Sequence, residues 1–133
     1  MLHEIVGLTD EPATRRRWFH DDYFDLFVWQ TLQGELTRFQ LCYGIAAEER
    51  ALVWQSQGGF FHDGLPSGQI ESLEAVRARF DAAAPTLPKQ IRLSVGTRLN
   101  EFAKLANEVP MRRNTFRRAP WQKRLATAQR KTG

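Results

Sequence analysis

The stretch from Phe24 to Trp54, FDLFVWQTLQGELTRFQLCYGIAAEERALVW, constrains the fold more than any other part of the chain. It holds three short apolar runs parted by polar turn segments. Short turns join antiparallel neighbours, whereas parallel strands need long crossovers. The stretch therefore predicts a three-stranded meander against which the other elements pack.

Side chains alternate between the two faces of a strand, so each run can be read face by face. In the run Phe24 to Thr31, Phe24, Leu26 and Val28 share one face, and Asp25, Phe27 and Trp29 share the other. Aromatics on both faces predict a central strand covered at least partly on both sides. Leu32-Gln33-Gly34 supplies the turn, with Gly34 free to take positive φ. In the run Glu35 to Tyr43, Thr37, Phe39, Leu41 and Tyr43 point to the main core, while Leu36, Arg38, Gln40 and Cys42 share the opposite face with Asp25 or Trp29. Arg50 to Gln55 follows, and Phe60-Phe61-His62 begins a further strand after the turn Ser56 to Gly59.

Upstream, RRRWFH from Arg15 to His20 reads as the first strand. Its arginines protect an edge by charge or bind an anion. His20-Asp21-Asp22 reads as a turn, because short polar side chains bond to nearby backbone donors. In residues 1 to 14, Leu2, Ile5, Val6 and Leu8 form a short strand or lie over the core, and Gly7, Asp10 and Pro12 argue against a long element.

The period changes after Pro66-Ser67-Gly68. Leu73, Val76, Phe80 and Ala83 form one helical stripe, with Ser72 as N-cap and Pro85 as terminator. Ile91, Val95, Leu99 and Phe102 form a second stripe, with Pro88 near its start. Gly96 weakens this helix by about 1 kcal/mol relative to Ala and would allow close packing on the sheet. The expected fold is thus α+β: one domain over residues 1–109, with a four- to five-stranded, mostly antiparallel meander packed against two C-terminal helices.

Residues 110–133 differ in kind. Residues 1–109 hold 11 Lys or Arg and 15 Asp or Glu, a net charge of −4, whereas residues 110–133 hold 8 Lys or Arg and no acid, which restores the overall +4. The basicity belongs to this tail, so it does not by itself place a basic surface on the folded domain. Arg112, Arg113, Arg117, Arg118, Lys123 and Arg124, with Phe116 and Trp121 among them, are candidates for phosphate attraction and base stacking. A partly disordered or peripherally packed segment is the plainer reading. No apolar run reaches membrane-spanning length, and MLHEIVGLTDEP lacks the basic start of a signal peptide. A cytoplasmic protein without membrane contact is expected. Cys42 is the only cysteine, which rules out an intramolecular disulfide and reads as a small buried hydrophobe.

No short motif for nucleotide, thiolate-zinc or serine-hydrolase chemistry occurs. Three functional readings remain. Trp18, Trp29, Arg38, Gln40, Tyr43 and Trp54 supply aromatic walls with a few polar groups, as a small-molecule or protein-binding face would. A dimer formed through the sheet would cover the same residues. His20, Asp22, Asp25 and His62 are candidate catalytic or metal-ligating groups for a hydrolase, since imidazole and carboxylate suit a divalent transition metal that activates water. The tail is the candidate nucleic-acid contact. The favoured expectation is a noncatalytic binding domain without a cofactor.

The pattern Trp18-Phe19, Asp22, Phe24-Asp25-Leu26, Trp29, Gly34, Phe39-Gln40-Leu41-Cys42-Tyr43, Glu49, Ala51-Leu52, Trp54, Gly59-Phe60 and His62 resembles a family of small bacterial proteins without an established function. The resemblance covers Arg15 to Gly64 and implies a shared compact fold, with no activity or ligand attached. An acid commonly follows the FQLCY run in such proteins; this chain has Gly44 there.

Overall fold

A computed structural model describes residues 1–6, 12–44, 50–62 and 72–105. The basic segment 110–133, with all six of its candidate contact residues, lies outside the described residues, as does the connection 45–49. No helix among the described residues is long and apolar enough to cross a membrane.

Six strands form one antiparallel sheet in simple sequence order: β1 (His3–Ile5), β2 (Arg15–His20), β3 (Phe24–Gln30), β4 (Leu36–Tyr43), β5 (Arg50–Gln55) and β6 (Gly59–His62). The α+β class and the meander match the sequence reading. The strand count exceeds the expected four or five because His3–Ile5 pairs with β2 through His3↔His20, Glu4↔Phe19 and Ile5↔Trp18. Three residues suffice because the strand is fastened from outside its ladder. Leu2 is buried in the core and donates its N–H to Ala83 O at 3.2 Å, and Arg17 holds Glu4 with two hydrogen bonds of 2.7 and 2.8 Å. That contact, before the coulombic attraction of the same Glu4, holds the Arg17 guanidinium above the usual arginine range against the cost of its partial burial.

Local chemistry sets the turns. Asp21 Oδ1 accepts from the Tyr23 and Phe24 N–H groups at 2.8 and 2.7 Å, which closes the β2–β3 corner. The β3–β4 turn closes through Gly34 N–H to Thr31 O at 2.9 Å, with Gly34 at φ +91°. The buried Gln30 side chain donates to Gly34 O at 2.9 Å.

One register shift changes a face assignment. Pairing between β3 and β4 steps from Trp29↔Arg38 to Gln30↔Leu36, which leaves Thr37 as an extra residue on β4. Leu36 thereby moves off the Arg38 face and joins the main core, contrary to strict alternation.

Helix α1 (Ser72–Ala83) leads through a single 3₁₀ turn (Ala84–Thr86) into α2 (Lys89–Leu105). Val76, Phe80 and Ala83 of the first stripe and Ile91, Val95, Leu99 and Phe102 of the second bury as expected and meet Phe24, Leu26, Val28, Phe39, Leu41 and Leu52 on one sheet face; the side chains of Ser72 and Leu73 lie outside the described residues. Thr86 Oγ1 donates to Leu2 O and ties the interhelical turn to the N-terminal strand. Gly96 does not make the close approach expected of it, since a Cβ placed there meets nothing within 4 Å.

Candidate functional site

The face of the sheet turned away from the helices carries most of the polar chemistry. The register aligns its side chains in three rows. The first runs His3, His20, Asp25, Cys42, Ala51; the second Ile5, Trp18, Phe27, Gln40, Val53, Phe61; the third Arg16, Trp29, Arg38, Gln55. Trp18, Phe27, Cys42 and Ala51 form a second apolar cluster that contains no helical residue. This accords with the reading of β3 as a strand covered on both faces.

Asp25 is 0% exposed and central to the first row. Its Oδ1 accepts from Trp18 Nε1 at 2.9 Å and sits 2.6 Å from His20 Nδ1. With Asp25 ionised its carboxylate only accepts, so Nδ1 donates in this contact and the Nε2 edge of His20 faces away from it. The His20 side chain retains 14% exposure, and the exposed His3 ring stands perpendicular to it at 5.8 Å. Cys42 lies on the far side of Asp25. Two strand spacings, roughly 9.5 Å, separate its backbone from that of His20. Gln40 Nε2 approaches the Cys42 sulfur at 3.8 Å.

In the third row, the guanidinium of Arg38 lies 4.6 Å from the centroid of the Trp29 ring. Both side chains are half-buried. Arg38 has no acidic partner among the described residues, and burial holds its guanidinium below the usual arginine range. Its Nε is shut off from solvent and has no hydrogen-bond partner among the described residues. Arg16 stands on the other side of Trp29 in the same row.

The sheet divides both residue sets proposed from sequence. Of the binding set, Trp18, Trp29, Arg38 and Gln40 share the outer face. Tyr43 and Trp54 instead belong to the helix-side core. Trp54 packs beside Phe39, with ring centroids 6.1 Å apart, and the Arg98 guanidinium lies 4.5 Å from its ring centroid. Trp54 lines a groove of about 320 Å³ with Leu36, Gln90 and Ser94.

Of the catalytic and metal set, only His20 and Asp25 meet. Asp22 is exposed in the β2–β3 corner. His62 opposes Leu52 in β6 and therefore points to the helix side. There it stacks on Phe102 at 5.7 Å and shares a 2.6 Å hydrogen bond with Tyr43 Oη. The four residues do not form one ligand set, and among the described residues no group of three or more His, Cys, Asp or Glu side chains is placed to hold a metal ion. His3 and Arg16 were absent from both sets. Only the β1–β2 and β2–β3 registers bring them beside His20 and Trp29.

No family model matches the chain, and neither a curated protein nor a solved structure does.

Proposed function

We propose that the chain is a noncatalytic binding domain that holds an anionic group, a carboxylate or a phosphate, against Arg38 on the outer sheet face. The observation that carries this reading is the state of Arg38. It is a half-buried cation stacked on Trp29, with no acid paired to it and no partner for its solvent-shielded Nε among the described residues. Leaving a buried donor unmet costs about 1–3 kcal/mol, and a hydrogen bond to a charged group returns a similar amount. An incoming carboxylate or phosphate would engage the terminal N–H groups of the guanidinium, and would reach Nε as the side chain turns outward; the fork of the guanidinium suits both oxyanions. Arg16 adds positive charge in the same row.

The test is thermal unfolding of the full chain and of Arg38→Gln, with inorganic phosphate or acetate exchanged for chloride at constant ionic strength. The reading expects a saturable rise in Tm in the unsubstituted protein that Arg38→Gln loses. Equal rises in both proteins would reduce the effect to general salt action and remove Arg38 from the account. A second copy offering a carboxylate is one such partner, and would appear in sedimentation as a mass that rises with concentration.

A second reading rests on the charge of residues 110–133, which hold 8 Lys or Arg and no acid. If these residues contact nucleic acid specifically, their removal lowers affinity across several salt concentrations. Equal affinity of full and shortened chains would end that reading.

A further inference from the structure

We infer that His3 and His20 form a two-imidazole site for a divalent transition metal, with Asp25 fixing His20 from behind. The site stands on observations separate from Arg38. Asp25 and Trp29 are four residues apart on β3, roughly 13 Å along the strand.

The register provides the first argument. His3, His20 and Asp25 occupy directly opposed positions on three adjacent strands, so their side chains lie side by side on one face. The second argument is the hydrogen bond between His20 Nδ1 and Asp25. Metal-ligating histidines commonly donate their other ring N–H to a carboxylate, which fixes the ring and raises its basicity. Here the carboxylate is itself held by Trp18 Nε1, so the support is rigid before any metal arrives.

The third argument is ring placement. A Zn–N bond of about 2.0–2.1 Å places an imidazole centroid roughly 3.2 Å from the ion, so two rings on one tetrahedral ion have centroids about 5.2 Å apart. The His3 and His20 centroids are 5.8 Å apart with the rings perpendicular. Co-ligation requires the exposed His3 side chain to turn a ring nitrogen towards the Nε2 edge of His20. The ligand type suits Zn²⁺, Ni²⁺ or Cu²⁺ over Mg²⁺ or Ca²⁺. Two protein ligands leave coordination positions open for water or for a bound molecule.

The experiment is calorimetric titration of Zn²⁺ into the untagged full chain, repeated on His3→Ala, His20→Ala and Asp22→Asn. One ion per chain is expected. His3→Ala and His20→Ala should each weaken binding at least about tenfold, while Asp22→Asn binds as the parent does. Two results would overturn the site: unchanged affinity in His3→Ala, or loss in His3→Ala with none in His20→Ala, which would mean chelation through His3 alone. Because His20 supports a buried network, the unsubstituted protein gives a second readout by imidazole ¹⁵N resonances. Zn²⁺ should move the ring nitrogens of His3 and His20 together. Movement of one ring without the other, or of neither, rejects the shared site.

Discussion

Asp25→Asn preserves the shape of the side chain and removes its charge, so it isolates what the carboxylate contributes. Trp18 Nε1 and His20 Nδ1 both converge on Oδ1, at 2.9 and 2.6 Å, in a position that is 0% exposed. A hydrogen bond to a charged group contributes about 1.5–3 kcal/mol and one between neutral groups about 0.5–1.5. The two bonds together therefore lose roughly 2 kcal/mol. Releasing the carboxylate from burial offsets part of this. The amide must also place its NH₂ where an acceptor oxygen was. A net destabilisation of about 1–2 kcal/mol follows, corresponding to a fall in Tm of roughly 4–7 °C for a chain of this size. Urea unfolding followed by circular dichroism would read it as a lower midpoint with an unchanged slope. A change below about 0.5 kcal/mol, within the range of an ordinary surface substitution, would refute the claim that Asp25 is the charged acceptor holding the outer face together. The same variant should bind Zn²⁺ at the His3–His20 site about 10–100-fold more weakly.

Two glycines give opposite expectations. Gly96→Ala should stabilise the protein by up to about 1 kcal/mol in the same urea assay, because Ala is the better helix former and its Cβ meets nothing within 4 Å; destabilisation would mean that something packs against this position. Gly34→Ala should destabilise by about 1–2 kcal/mol, since Gly34 sits at φ +91° and an added Cβ comes to 3.0 Å from Gln90 Oε1. A neutral result there would mean that the turn relaxes out of the left-handed region at no cost.

The elements most legible in the sequence are those whose apolar pattern admits a single reading. The stripes Val76–Phe80–Ala83 and Ile91–Val95–Leu99–Phe102 bury together because three- and four-residue spacing fits only a helix. The face sets of β3 hold because nothing interrupts its alternation. Three features escaped the pattern for identifiable reasons. Strand β1 has three residues with the burial pattern exposed, exposed, intermediate, so its composition left a short strand and a segment lying over the core equally open; Leu2, Thr86 and Arg17 fix it in place. Leu36 changes face because one extra residue, Thr37, resets the parity beyond it.

His62 left its expected partners because β6 carries aromatics on both faces, Phe60 towards the helices and Phe61 away, so apolar periodicity assigns no inner face. The candidate site was visible as a collection of residue types. Its division by the sheet was not visible, because the division depends on parity at each strand. Arg38 and Trp29 stayed together because they face each other directly in a hairpin whose turn the sequence marks with Gly34.

The central claim is that Arg38 is a cation held ready for an anion. The most direct measurement is ¹⁵N NMR of the Arg38 Nε–H and the Trp29 indole N–H during titration with inorganic phosphate at fixed ionic strength. The account predicts that both resonances move along one saturating curve, and that the Trp29 shift disappears in Arg38→Gln. Resonances that stay still through the titration, or a Trp29 shift that survives the loss of Arg38, would contradict it.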